Sequence, residues 1–249
     1  RNAGIDPASV IGIATDFTAS TPLPVLADGT PLSDLHPDRK HAYVKLWKHH
    51  AAQPQADRIN AVGANRKEYF LRAYGGRYSS EWFFSKLLET LRHAPQVYTA
   101  ADRFIEAGDW IVWQLTGQER RNVSAAGFKA MWLYPDGRGG WAYPSKEFFR
   151  ALDPRLTDVV AEKLSGNPQP LGSSAGGLTP GWAKRLGLAP GTPVAVGNID
   201  AHVAVPACRV TEPGDLVMIM GTSTCHLLIG GGRQLVEGMC GVVDGGVVP

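Results

Sequence analysis

The amino-acid sequence predicts an α/β fold, and three observations carry that reading. Short apolar runs of strand length recur at residues 10–14, 193–196 and 216–220. Apolar residues at helical spacing fill much of the intervening chain, most clearly at 81–91 and 104–115. Turn chemistry rich in Gly, Asp and Pro separates the two kinds of pattern.

From the start, residues 10–14 and 22–26 read as extended segments, and Ala27-Asp28-Gly29 supplies turn chemistry, so a hairpin is predicted within 10–32. A short strand follows at 43–47. From about Gln55 helix chemistry takes over, carrying Ile59, Val62, Tyr69, Phe70 and Leu71, and Gly75-Gly76 ends it. The stretch 81–91 places Trp82, Phe83, Leu87, Leu88 and Leu91 at helical spacing behind the potential cap Ser79-Ser80. Residues 104–115 repeat the pattern before Gly117. Residues 134–141 read as a surface loop, after which Ser145 is the expected cap of a helix through Leu152. The Gly-rich run 172–177 reads as a second loop. Thr179-Pro180 then opens a helix that Gly187 closes. A buried strand is predicted at 193–196. The apolar runs 216–220 and 227–229 flank Gly221-Thr222-Ser223-Thr224 as a hairpin, and a last hairpin is predicted around Asp244-Gly245-Gly246.

With 249 residues the chain can hold one large domain, or one domain and part of another. Sequence character changes near residue 206, from helix-rich to Gly/Val-rich, and a boundary is expected there. Hydrophobic residues make up 44% and charged residues 19%, the balance of a folded globular protein. The 25 Lys and Arg are spread among 23 Asp and Glu with no basic stripe, which argues against a nucleic-acid partner. Cys208, Cys225 and Cys240 form no CxxC pair, a usage suited to a reducing cytosol. No apolar run reaches membrane-spanning length, and the opening residues have no signal-peptide shape, so no membrane partner and a cytoplasmic location are expected. The chain begins without Met and runs into apolar sequence near both ends, as expected of a piece of a longer protein.

Two arrangements can carry chemistry. In Val194-Ala195-Val196-Gly197-Asn198-Ile199-Asp200, a strand leads to an Asp at its carboxyl end, where ligands of open α/β sheets bind and where a carboxylate can take a proton from a substrate hydroxyl. Asp200 suits the cap of a following helix equally well. The turn Gly221-Thr222-Ser223 can aim backbone N–H groups and two hydroxyls at one phosphate, though such turns also simply close hairpins. Lys129, among the small residues Ser124-Ala125-Ala126-Gly127, is either a donor to a ligand or an exposed surface cation. Trp47-Lys48-His49-His50 joins an aromatic face to basic groups, but sequence spacing offers the histidines no metal-binding companion. Neither a GxxxxGK[ST] loop nor a dinucleotide fingerprint occurs.

Taken together, Gly197, Asp200, Gly214, Gly221-Thr222-Ser223, Lys86-Leu87-Leu88 and the run from Asp109-Trp110 to Leu115-Thr116-Gly117 resemble the FGGY carbohydrate kinases. Longer strings resemble the L-ribulokinase branch: Asp16-Phe17-Thr18-Ala19-Ser20-Thr21-Pro22, Leu46-Trp47-Lys48-His49-His50, Gly76-Arg77-Tyr78-Ser79-Ser80-Glu81-Trp82 and Ser124-Ala125-Ala126-Gly127-Phe128-Lys129-Ala130-Met131-Trp132. Xylulokinases typically carry Gln-Met-His where this chain has Thr18-Ala19-Ser20, which argues against xylulose as the preferred sugar.

The resemblance implies a ribonuclease-H-like fold of the actin and hexokinase type, seen as an incomplete two-domain kinase. Residues 1–206 would be most of the sugar-binding domain and 207–249 the opening of the nucleotide domain. It implies ATP-dependent phosphorylation of a ketopentose, L-ribulose to L-ribulose 5-phosphate, as a step in L-arabinose catabolism, with another pentulose or polyol as the alternative substrate. Asp200 would be the base. The backbone around Ala19, with Trp47, Lys129 and Asp200, would hold the sugar, and Gly221, Thr222 and Ser223 would meet the phosphates of ATP bound with Mg²⁺. The partner is a small-molecule sugar, and the family leaves room for a homo-oligomer. The family's first phosphate hairpin, its adenosine-binding segments and its acidic sugar ligand are absent from these 249 residues, so the isolated chain is expected to be inactive, or to act as a non-catalytic sugar-binding module.

Overall fold

A computed structural model describes residues 4–134, 140–221 and 224–248. Along the chain run the strands β1 (Asp16–Phe17) and β2 (Pro22–Val25), then the helices α1 (Leu32–Leu35), α2 (Gln53–Arg66), α3 (Tyr69–Ala73), α4 (Phe83–His93) and α5 (Pro95–Ala100). There follow β3 (Arg103–Glu106), α6 (Ala107–Thr116), α7 (Val123–Lys129), α8 (Lys146–Leu152), α9 (Val159–Lys163), β4 (Ser174–Gly177) and α10 (Pro180–Leu186). The last elements are β5 (Pro193–Ala195), β6 (Asn198–Ile199), α11 (Asp200–Ala207), β7 (Leu216–Met220) and β8 (Thr224–Leu228).

Helices with strong local signals form where the sequence places them. Ser145 caps α8 by accepting the Phe148 N–H, and α8 ends at Leu152. Pro180 opens α10, with Gly187 at its end, and Gly117 ends α6.

The strands pair differently from the sequence expectation. Of the hairpin expected within 10–32, the turn at 27–29 forms, with Leu26 N–H to the Thr30 carbonyl at 2.9 Å and Val25 bridged to Pro31, but residues 22–25 take β3 as their antiparallel partner, with Leu23 opposite Ile105 and Val25 opposite Arg103. Arg103–Glu106 is therefore strand, and the helix predicted from 104 begins only at Ala107. The expected strand at 43–47 is absent, because Lys40–Ala42 is a 3-10 turn and the segment after it binds β2 through one main-chain bond, Lys45 N–H to the Pro22 carbonyl at 2.9 Å. The Gly-rich run 172–177 contains strand β4, antiparallel to β5, because both segments need main-chain partners where they pack beneath α6. The β7–β8 hairpin forms, but its second strand already begins at Thr224, expected in the turn, with Met220 opposite Thr224. Around residues 242–248 no strand forms among the described residues; Gly246 N–H turns back to the Val243 carbonyl at 3.2 Å and the segment lies on α7.

The segment through Ile13, Thr15 and β1 runs parallel to the one from Pro193 through β6. Ile13 N–H bonds the Pro193 carbonyl at 2.8 Å, and Asp16 and Phe17 pair with Asn198 and Ile199. Gly197 permits this approach, since a Cβ there would lie 2.8 Å from the Thr15 carbonyl oxygen.

The main core gathers Ile59, Phe70, Tyr78, Phe83, Phe84, Leu87, Leu88, Leu91, Phe148 and Phe149. α4 runs through its middle, and every residue from Phe83 to Leu91 is buried. Four of those residues are polar, so each needs a partner inside the protein. Ser85 donates to the Ser79 carbonyl, Thr90 to the Lys86 carbonyl, and Glu89 accepts from Lys45 and His49. The fourth, Lys86, points to the loops described next.

Candidate functional site

The parallel strands β1 and β6 end side by side at Phe17 and Ile199, and their continuations carry two of the candidate residues. After β1 the chain turns through Thr18, Ala19 and Ser20. Ser20 has φ 60, in the left-handed region that costs a non-glycine residue roughly 1–2 kcal/mol. The peptide linking it to Thr21 is held from both sides: the Ser20 carbonyl accepts from Lys86 Nζ, and Thr21 N–H donates to Glu106 Oε2 at 2.7 Å. The Lys86 ammonium also donates to the carbonyls of Leu46, at 2.8 Å, and Trp47, at 3.3 Å. Two sequence-distant loops, one bearing Ala19 and the other Trp47, are thus fastened to one buried cation. The Trp47 side chain remains open to solvent, 37% exposed.

After β6 the chain enters α11 at once. Asp200 is its first residue and Ile199 its cap, so Asp200 sits just inside the helix rather than at the capping position. Its carboxylate is exposed and accepts the Ala201 N–H at 2.7 Å. An acidic group in this first turn is favoured by the helix dipole. At the carboxyl end of a parallel pair it can also reach a hydroxyl outside the sheet.

Lys129 ends α7, whose start Asn122 caps by accepting the Ala125 N–H. Its ammonium lies 5.1 Å from the centre of the Trp82 ring, a cation–π arrangement at the entrance to α4. α7 and α11 are joined through His202: Ser124 Oγ lies 2.9 Å from His202 Nδ1, and the Phe128 ring packs edge-on against the imidazole at 4.7 Å. Burial, followed by the Lys129 charge, pushes His202 down to about 4, so the ring is neutral at neutral pH. Over this junction lie residues 241–246. Val243 fills the space where a side chain on Gly127 would stand.

Lys86 therefore fastens the turn of Ala19 to the segment of Trp47, Lys129 lies over the Trp82 ring, and Phe128, next to Lys129 in the chain, meets His202, two residues after Asp200. Gly221 follows β7, in the hairpin that packs against α11, the helix that begins at Asp200. Thr222 and Ser223 lie outside the described residues. Two surface recesses, beside Arg58 and Arg92 and beside Trp132 and Trp141, are lined by none of the candidates.

Sequence reasoning missed the buried groups behind the site. Lys86 is 1% exposed, and burial lowers its pKa while the Glu106 charge opposes that. Burial pushes Glu106 up, against the Thr21 hydrogen bond. Asp109 is raised to about 7 by burial, although it accepts both the main-chain and side-chain N–H groups of Asn122 at 3.0 and 2.8 Å. The available signal was a cation in the apolar string Phe83-Phe84-Ser85-Lys86-Leu87-Leu88, a place where an unpaired charge is not tolerated. His49, for which sequence spacing offers no acidic companion, finds one in the fold: Glu89 Oε2 lies 2.7 Å from its Nε2. Among the described residues no group of three or more His, Cys, Asp or Glu side chains is arranged to hold a metal, and no helix is long and apolar enough to cross a membrane.

No protein-family model matches the chain. It is 53% identical to a ribulokinase from Geobacillus thermodenitrificans over 252 aligned residues, covering 100% of this chain and 44% of that protein. It is also 53% identical to ribulokinases from Halalkalibacterium halodurans, covering 100% of this chain and 44% of the relative, and from Mycolicibacterium smegmatis, covering 99% and 43%. The chain thus spans less than half the length of the curated relatives it matches. Among solved structures, a "xyloylose kinase" from Brucella ovis superposes with TM-score 0.65 at 18% identity, over 90% of this chain and 42% of that one. A xylulose kinase from Bifidobacterium adolescentis gives 0.64 at 14% identity, over 86% and 46%. The fold is that of the actin- and hexokinase-like sugar kinases. Along its whole length the chain resembles part of the ribulokinases, and through them the FGGY carbohydrate kinases.

Proposed function

We propose that the whole protein to which this chain belongs transfers the γ-phosphoryl group of ATP to a ketopentose, converting L-ribulose to L-ribulose 5-phosphate. The observation that carries this reading is the 53% identity to proteins named ribulokinase, sustained over the full chain. The placement of Asp200 supports it: an exposed carboxylate beside a parallel strand end is free to accept a proton from the terminal hydroxyl as that oxygen attacks phosphorus. Ala19 through its backbone, Trp47 and Lys129 hold the sugar. Gly221 with Thr222 and Ser223 meets the phosphates of ATP, and Mg²⁺ bound with the nucleotide neutralises phosphate charge. Residues 1–206 form most of a sugar domain and 207–249 begin a nucleotide domain. The enzyme works in the cytoplasm and admits assembly as a homo-oligomer.

The test is ADP release by the whole protein with L-ribulose, D-xylulose, other pentuloses and polyols, each with ATP and Mg²⁺. L-Ribulose should give the highest kcat/KM. A clear preference for another sugar would keep the kinase and change its substrate. For the 249-residue chain alone a second reading is a sugar-binding module, supported by its 44% coverage of the relatives. Calorimetry that detects sugar binding without nucleotide binding would bear it out.

A further inference from the structure

We infer that Lys86 is a positioning residue for the sugar site, an inference that rests on the proposed function and extends it to a residue that meets no substrate. Its ammonium has three N–H groups and faces three main-chain carbonyls, those of Ser20, Leu46 and Trp47. The first belongs to the turn carrying Ala19 and the other two to the segment carrying Trp47, and among the described residues no other side chain bonds both. Carbonyl acceptors of this kind do not define a loop's shape by themselves. They do so here because the Ser20–Thr21 peptide is also held on its N–H side by Glu106, and because Ser20 is kept in a left-handed conformation that free chains avoid.

The arrangement holds the turn of Ala19 against the main chain of Leu46 and Trp47, and so the two backbone segments that the proposed function places around the sugar. Lys86 lies on α4, whose buried flank is fixed in the main core, so the cation is a rigid reference point for two otherwise separate loops. Charged groups that face it are Glu106 from β3, Glu81 just before α4, Glu89 from α4 itself and Lys45 from the segment leading to Trp47. Loss of one proton leaves two N–H groups for three carbonyls, and one loop is released.

The experiment uses the whole protein with L-ribulose, ATP and Mg²⁺. Lys86→Met keeps most of the unbranched side chain without its donors. It is expected to lower kcat/KM for the sugar by roughly 10–100-fold through a raised sugar KM, the scale of a small misplacement of binding groups, while KM for ATP stays as in the parent. Equal changes in both KM values, or none, would overturn the inference. Glu106→Gln tests it without touching the cation. Gln can still accept the Thr21 N–H, but removal of the negative charge lowers the pKa of Lys86 further, so the alkaline fall in sugar kcat/KM should move to lower pH. An alkaline limb unchanged by Glu106→Gln overturns the inference even where Lys86→Met fails to fold. Unaltered protein that releases no ADP with any pentulose would refute the proposed function instead.

Discussion

Ser124 Oγ stands 2.9 Å from His202 Nδ1, and this buried contact fastens the helix that ends at Lys129 to the helix that begins at Asp200. Among the described residues the other polar partner of that nitrogen is the Gly246 carbonyl, at a longer 3.4 Å. Ser124→Ala should therefore destabilise the protein by about 1–3 kcal/mol, the usual effect of stranding a buried polar group, and reduce sugar-dependent turnover. Thermal melting checks the first part. A parent-like melting temperature would mean that Gly246 satisfies the ring alone.

The same imidazole sets a pH dependence. Its pKa falls from the ordinary 6.5 to about 4 in the folded protein, through burial first and the Lys129 charge second. Between those values the unfolded chain takes up a proton that the folded one refuses, so this stabilising contribution is complete above pH 6.5 and is lost as pH falls toward 4. His202→Gln, neutral throughout, should remove on the order of 1–3 kcal/mol of that acid sensitivity. Melting temperatures of variant and parent at several pH values in this window decide it, and parallel curves would contradict it.

Lys129→Met should weaken sugar binding by roughly 1.5–3 kcal/mol, the value of a hydrogen bond from a charged donor, while leaving ATP binding alone. The Met side chain still covers the Trp82 face that the ammonium now overlies. Unchanged Michaelis constants for both substrates would make Lys129 a surface cation held by Trp82.

How much of this was legible depended on how local each signal is. Ser145 and Leu152, or Pro180 and Gly187, mark helix ends within a few residues of one another, and both helices form as read. Arg103–Glu106 has apolar residues that continue smoothly into the next helix, and only its partner β2, some eighty residues earlier, makes it a strand. The Gly-rich β4 shows no side-chain pattern at all and exists because β5 needs pairing. In the site, Asp200 was visible because a strand leads directly to it. The role of Lys86 was not, because its acceptors are main-chain carbonyls 66, 40 and 39 residues away, and every residue type has a carbonyl.

The 249-residue chain alone should show no measurable sugar-dependent ADP release. It spans 44% of the length of the ribulokinases it matches, and phosphoryl transfer depends on holding both reactants in line. Turnover by this chain at the rate of the whole protein would mean that the nucleotide is held entirely within these residues.

Sugar-dependent ADP release by the whole protein, unaltered and as Asp200→Asn, tests the kinase assignment and its base in a single assay with L-ribulose, ATP and Mg²⁺. Asn keeps the shape of Asp200 and cannot accept the proton, so the expected result is rapid release by the unaltered protein and a kcat lowered by about 10²–10⁴ in the variant, with sugar affinity retained. Near-equal kcat values for the two proteins would leave Asp200 with only its place in the first turn of α11 and contradict its assignment as the base.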